Sequence, residues 1–199
     1  REIKERDELA HSYEVKIREL ESILRDKEKE MRKFVELDLM SHPSLNWSNF
    51  VLSKSNDEGG YEFAMSSHPL STTHCSCWSV RVITNNGRMY IMPGITSATN
   101  VSKDMHYQKD TYLYGRKNII YREGSVQSIL DWTGLISPND ETVLKYDPTV
   151  HTLSAYHSST KKITTMNDIK NMPYRIVIGA YHSISVTVEP VSETEGREI

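Results

Sequence analysis

The chain has 199 residues, a formal net charge of −3 and a pI near 6.3. This balance provides no basic surface for nucleic acid or for an anionic membrane, so we expect neither as a partner. No apolar run approaches the roughly eighteen residues that cross a bilayer, and no secretory signal pattern opens the chain. Because the first residue is Arg1, we expect the chain to be a piece of a longer protein.

Residues 1–40 differ in composition from the rest of the chain. They hold 22 of the 51 Asp, Glu, Lys and Arg residues and contain neither Gly nor Pro. Their apolar side chains recur at the alternating spacing of a coiled-coil heptad. The apolar seam positions are Ile3, Ala10, Tyr13, Ile17, Leu20, Leu24, Met31 and Phe34. A lone helix cannot bury this stripe, so we predict an oligomerising coiled coil over residues 1–41. The alternative is an amphipathic helix that folds back on its own domain.

From His42 onward the pattern changes to that of short strands. His42-Pro43 is expected to end the helix, because the residue before a proline avoids the α region. In residues 77–83, Trp78, Val80 and Val82 alternate on one face, which predicts a half-buried strand. It runs into Asn85-Asn86-Gly87, a pattern typical of a hairpin turn. Further strands are predicted at residues 61–65, 89–92, 112–114, 118–121, 142–146, 152–156, 175–178 and 183–188, and a short helix at residues 125–130.

These elements predict a mainly β fold, an antiparallel β-sandwich, preceded by the coiled-coil helix. We assign residues 42–191 to the sandwich and residues 192–199 to a flexible, charged tail. Trp78 is expected in its core, because it begins the clearest alternating strand.

The only two cysteines are Cys75 and Cys77. One intervening residue places them on the same face of a strand, which is poor geometry for a disulfide. Reduced thiols indicate a reducing compartment, so we expect a cytoplasmic location, with the nucleus possible. A zinc site would need a second distant pair of ligands, and no such pair occurs, so we predict no metal and no cofactor.

Catalytic motifs are missing from the sequence. It has no Gly-x-Ser-x-Gly elbow, no phosphate-binding glycine loop and no His-Glu-x-x-His, and its eight histidines are scattered. We therefore predict a protein that is not an enzyme. Two alternatives remain open: a glycan-binding sandwich, which would also use exposed rings, and a hydrolase or metal enzyme built from dispersed residues.

Six segments follow one another in a familiar order: Trp78-Ser79-Val80-Arg81-Val82, Gly94-Ile95, the tyrosine-rich residues 112–121, Glu141-Thr142-Val143-Leu144-Lys145-Tyr146-Asp147, Leu153-Ser154-Ala155-Tyr156, and Pro173-Tyr174-Arg175-Ile176-Val177-Ile178-Gly179. Over residues 46–191 this order resembles a SPRY (PRY-SPRY) domain. With the coiled coil, the chain is similar to the C-terminal half of tripartite-motif proteins. It departs from the family at Asn139-Asp140-Glu141, where Gly-Asp is usual, and it has no RING or B-box cysteines.

The resemblance implies a bent β-sandwich whose loops bind a protein or peptide target. In that family the module often selects substrates for ubiquitin transfer, and any ligase activity would need a RING domain outside this chain. Aromatic and Arg side chains anchor protein interfaces. The predicted partner-binding residues are therefore His106, Tyr107, Tyr112, Tyr114, Arg116, Tyr121 and Trp132. The alternative for Tyr112 and Tyr114 is a place in the core, and Trp132 could be either a core plug or a loop anchor. We predict a coiled-coil oligomer that presents SPRY-like domains to a protein target.

Overall fold

The structure is a computed structural model that describes residues 12–24, 37–38, 44–55, 60–85, 90–130, 132–135 and 137–191. The chain divides into two compact units, Arg1–Phe34 and Val35–Ile199. The described part of the first unit is a helix, α1, at residues 12–24. The described part of the second unit consists of strands, a 3-10 helix and the segments that connect them. The predicted tail, residues 192–199, lies outside the described residues.

The described part of the second unit contains fourteen strands. Their bounds are β1 (Leu37–Asp38), β2 (Leu45–Ser48), β3 (Val51–Lys54), β4 (Tyr61–Ser66), β5 (Ser76–Asn85), β6 (Tyr90–Thr96), β7 (Thr111–Tyr114), β8 (Ile119–Arg122), β9 (Ser125–Ser128), β10 (Glu141–Asp147), β11 (Thr152–His157), β12 (Lys162–Met166), β13 (Arg175–Tyr181) and β14 (Ile184–Pro190). The 3-10 helix, Met105–Tyr107, lies between β6 and β7.

The strands form two antiparallel sheets. Sheet A has the order β1-β4-β13-β6-β7-β8-β9, and sheet B has the order β12-β11-β10-β5-β14-β3-β2. The sheets pack face to face. This is shown by the Tyr114 hydroxyl on β7, which lies 2.6 Å from the Leu153 carbonyl and 2.8 Å from the Thr164 carbonyl of sheet B. The predicted antiparallel two-sheet architecture is therefore confirmed.

Side chains on β10 of sheet B alternate between the interior and the outer face. On β10, Thr142, Leu144 and Tyr146 are buried while their neighbours are half-buried, which is the period-two pattern of a strand with one face on a core. Trp78 on the neighbouring β5 is fully buried, as predicted. Each large apolar side chain in this layer contributes about 1.5–3 kcal/mol of burial free energy.

Helix α1 carries the described part of the predicted seam. Tyr13, Ile17, Leu20 and Leu24 are all exposed to solvent. Glu14 and Arg18 lie 3.7 Å apart, the four-residue pair that a solvated helix face favours. The remaining seam residues, Ile3, Ala10, Met31 and Phe34, lie outside the described residues, and oligomerisation stays a prediction. No helix in the described ranges is long and apolar enough to cross a membrane.

The predicted helical range is wrong at its C-terminal end. Leu37–Asp38 forms β1, which pairs with Ser66 and Met65 of β4. Hydrogen bonding to the edge of sheet A overrides the local helical pattern there, since propensity is a weak prior against tertiary pairing.

The hairpin predicted at Asn85-Asn86-Gly87 is also wrong. All the predicted strands are present in the structure. However, β5 lies in sheet B and β6 in sheet A, so these two strands do not pair as a hairpin. A turn pattern indicates where the chain reverses. It does not indicate which strand pairs with the strand that follows the turn.

The short helix predicted at residues 125–130 is wrong as well. Ser125–Ser128 forms β9, joined to β8 by the two-residue turn Glu123-Gly124, whose φ angles are 49° and 80°. Positive φ at both turn residues matches the right-handed twist of a tight hairpin. The strands β2, β3 and β12 were not predicted, because each is short and only weakly apolar.

Candidate interaction surface

The outer face of sheet A is partly covered by the connection between β6 and β7. The base of this connection is closed by the hydroxyls of Thr96 and Thr111, 2.8 Å apart, and by a hydrogen bond from the Ser97 amide to the Asp110 carbonyl. Its 3-10 helix inserts Met105, fully buried, into an apolar cluster on the sheet. That cluster comprises Phe63, Met65, Met92, Met105, Leu113, Tyr121 and Val177. The connection is thereby fixed on the sheet, and it positions the two residues that follow Met105.

Beside this cluster, aromatic rings from distant parts of the chain form a continuous surface. We call the aromatic face the set Tyr61, Tyr90, His106, Tyr107, Tyr121 and Tyr181. Ring centroids are 6.2 Å apart for Tyr90 and Tyr181, 4.9 Å for Tyr181 and Tyr61, and 5.2 Å for Tyr61 and His106. The row arises because Tyr61, Tyr181 and Tyr90 are opposite one another on β4, β13 and β6. Ring pairs at this spacing across neighbouring strands stabilise a sheet, and here they form a row of aromatic side chains on its outer face.

Tyr107 is the solvent-exposed residue of the aromatic face. Its ring lies 4.0 Å from that of His106 and 6.2 Å from that of Tyr121, yet 56% of the residue is exposed. Its carbonyl lies over Gly124, where a Cβ atom would stand 2.5 Å from that oxygen. The absence of a side chain at Gly124 therefore lets the connection settle on the β8–β9 turn. His106 and Tyr121 are buried beneath, while Tyr61, Tyr90 and Tyr181 are half-buried.

The polar groups of the aromatic face are held in a low-dielectric setting. Burial raises the pKa of Tyr61, and its hydrogen bond with the Tyr121 hydroxyl acts in the same direction. Burial also raises the pKa of Tyr121, and the Arg116 guanidinium opposes this shift at both rings. Burial lowers the pKa of His106, which favours the neutral imidazole. Two exposed charges act on these groups: the Arg116 guanidinium on the hydroxyls of Tyr61 and Tyr121, and the Asp104 carboxylate on His106.

The predicted partner-binding residues divide into two groups. His106, Tyr107 and Tyr121 come together in the aromatic face, and Arg116 is close enough to act electrostatically on its hydroxyls. Sequence reasoning missed Tyr61, Tyr90 and Tyr181, which are far apart in the chain. The available signal was that each of these tyrosines begins or ends a strand.

Tyr112, Tyr114 and Trp132 require a correction, because they are interior residues. Tyr112 and Tyr114 are fully buried on the side of β7 that faces sheet B, while Leu113 between them faces outward under the connection. Trp132 packs 4.9 Å from the Tyr114 ring and donates its indole N–H to the Gly115 carbonyl at 2.6 Å. None of the three presents a ring to a partner.

The described residues contain no group of three or more His, Cys, Asp or Glu side chains arranged to hold a metal ion. Cys75 and Cys77 form no disulfide; the first is half-buried and the second buried.

Two antiparallel sheets, with one outer face partly covered by a fixed connection, define the class as an antiparallel β-sandwich. Among solved structures it is similar to the SPRY domain of human HERC1, with a TM-score of 0.63 and 15% identity over 78% of this chain and 98% of that one. It is also similar to the PSpry domain of TRIM65, with a TM-score of 0.59 and 12% identity over 77% and 90% of the two chains. A stonustoxin structure matches with a TM-score of 0.53 and 14% identity over 78% of this chain and 26% of that one.

The second unit therefore has the SPRY fold, which confirms the fold that the sequence resemblance implied. No protein-family model and no curated protein sequence matches the chain.

Proposed function

We propose that the sandwich is a protein-interaction module and that the aromatic face, with Arg116, is where a protein or peptide target binds. The observation that supports this most directly is the row of rings that ends in the exposed Tyr107. Tyr and Arg side chains are enriched among residues that dominate binding energy, and a Tyr ring buries large area at low entropic cost. The rigid connection beneath Tyr107 lowers that cost further.

Helix α1 supplies the second part of the proposal, self-association. Its exposed Ile17, Leu20 and Leu24 need a partner surface, and the heptad spacing fits a second copy of the same helix. An oligomer presents several aromatic faces at once, which raises apparent affinity through effective concentration. The proposed place of action is the cytoplasm or nucleus, with no nucleic acid or membrane as partner.

We expect Tyr107→Ala and Arg116→Ala each to weaken target binding by about tenfold or more, since losing an interface anchor costs at least about 1–2 kcal/mol. The full chain is used to select binders from a displayed library of tiled protein fragments, and affinities are then measured by titration. Neither replacement is expected to change the melting temperature, because both side chains are exposed.

Matched controls lie on the outer face of sheet B. Tyr156 is half-buried there, and Arg81 is exposed and pairs with Glu141 at 3.1 Å. Tyr156→Ala and Arg81→Ala should leave affinity unchanged. If the controls lose binding while Tyr107→Ala retains it, the target binds sheet B and the proposal is wrong. A glycan array probed with the same chain tests the glycan-binding alternative.

Self-association is tested at a single helix position. We expect Leu20→Lys to convert the full chain into a monomer, because it places a charge on the apolar seam. Glu19→Lys, one residue away and off the seam, should leave the oligomer intact. A chain that begins at Val35 should also be monomeric and folded. Light scattering decides, and a monomeric full chain at high concentration would show that the helix does not assemble.

A further inference from the structure

Strand β9 is an open edge of sheet A. It pairs with β8, and within the described residues no strand pairs with its other side. All four of its residues are exposed. An open edge carries unpaired backbone N–H and C=O groups, and the partner that satisfies them best is another extended chain.

The register identifies the groups that point outward. Arg122 and Ser125 flank the two-residue turn, so they form a hydrogen-bonded pair, and pairs alternate from there. The Ile129 amide donates to the Asn118 carbonyl at 3.0 Å, which fits the same alternation. The backbone groups of Ser125 and Gln127 therefore face β8. The backbone groups of Val126 and Ser128 point away from β8, toward the open edge.

This edge lacks two of the features that usually prevent pairing. It contains no charge and no proline, whereas β12 begins with Lys162 and β1 is only two residues long and includes Asp38. Strand β2 is uncharged too, but it lies in sheet B, away from the aromatic face. Next to the open edge, Val126 is 53% exposed and Leu130 is 83% exposed.

The open edge is continuous with the aromatic face. Val126 is directly opposite Tyr121 and shares its side of the sheet, and the Tyr121 ring contacts that of Tyr107. A chain added along β9 would place alternate side chains on that same side, against Val126 and the two rings.

We propose that β9 binds an extended peptide segment of the target by strand addition. The added strand forms backbone hydrogen bonds to Val126 and Ser128, and its alternate apolar side chains pack on the aromatic face. This inference rests on the proposed function and states the conformation of the partner. Continuity with the aromatic face favours a target segment over a second copy of β9, which offers only one apolar side chain, Val126.

The test compares Ser128→Pro with Ser128→Ala in the full chain. Proline removes the outward N–H without breaking a bond to β8, while alanine keeps that N–H and loses only the hydroxyl. The probe is a displayed library of random twelve-residue peptides selected on the wild-type chain, followed by titration of enriched synthetic peptides. We expect affinity about tenfold weaker for Ser128→Pro and unchanged for Ser128→Ala.

Residue-resolved amide exchange by NMR gives a second readout that needs no variant. Bound peptide should slow exchange at the Val126 and Ser128 amides, and this decides the question if Ser128→Pro fails to fold. Peptides that bind both variants equally and protect neither amide overturn strand addition. If they still depend on Tyr107, the proposed function stands. Strand addition is also overturned if no peptide is enriched. It is overturned as well if the chain dimerises through β9 and Ser128→Pro abolishes that dimer. The fragment-library experiment then judges the proposed function separately.

Discussion

Replacing Tyr114 with Ala is expected to lower the free energy of unfolding by about 3–5 kcal/mol, as for other large aromatic residues removed from a core. The ring is fully buried, packs on Trp132 at 4.9 Å and shares its hydroxyl between two carbonyls of sheet B. Removing it leaves a cavity and two strand carbonyls without that donor. The measurement is urea denaturation of the full chain, with the change read from the transition midpoint.

Tyr114→Phe separates the hydroxyl from the ring. It keeps the packing and loses one buried donor, so we expect a smaller loss of about 1–3 kcal/mol. Tyr107→Ala is the matched surface control and should change stability by less than about 0.5 kcal/mol. If Tyr114→Ala is as mild as Tyr107→Ala, the ring is not in the interior and the original prediction of a binding role regains support.

The tyrosine-rich segment shows what the sequence can and cannot predict here. Alternation in residues 112–114 correctly predicts a strand, and it also predicts that Tyr112 and Tyr114 share a face. It does not predict which face, because both sides of β7 are covered, one by sheet B and the other by the connection that carries Met105. When both faces of a strand are buried, the hydrophobic pattern does not indicate which face points toward the other sheet.

The aromatic face was only half predictable for a different reason. His106, Tyr107 and Tyr121 lie close together in the sequence, and the resemblance to SPRY domains draws attention to that segment. Tyr61 and Tyr181 join them through pairing of β4 with β13, a contact between residues more than one hundred positions apart. Local pattern contains no information on such pairing, as the failed hairpin between β5 and β6 also shows.

Gly94 is the residue on which the position of the Met105 connection depends most directly. It lies on β6 opposite Leu113 of β7. A Cβ atom there would stand 2.9 Å from the Leu113 Cα atom and would collide with the Tyr112 carbonyl oxygen. These obstacles are backbone atoms, so no change of rotamer relieves them. Because the connection leaves β6 at Thr96 and returns at Thr111, separating the two strands would displace His106 and Tyr107.

We therefore expect Gly94→Ala to lower the free energy of unfolding by about 3 kcal/mol or more, at the upper end of overpacking effects. For a domain of this size that corresponds to a fall in melting temperature of about 6 °C or more. Target binding through Tyr107 should weaken as well, even at temperatures where the variant remains folded. Differential scanning calorimetry and the binding titration measure the two effects.

Gly179→Ala on β13 is the matched control. There the added methyl meets side-chain atoms, a Phe63 ring carbon at 2.5 Å and the Met92 methyl at 3.1 Å. Side chains can shift where backbone cannot, so we expect a loss of about 1–3 kcal/mol, smaller than at Gly94. Because Phe63 also stacks on His106 at 5.8 Å, Gly179→Ala serves as the control for stability and not for Tyr107-dependent binding. Equal losses at the two glycines would show that β6 and β7 are not held together by close backbone approach, and the fixed position of Tyr107 would then need another cause.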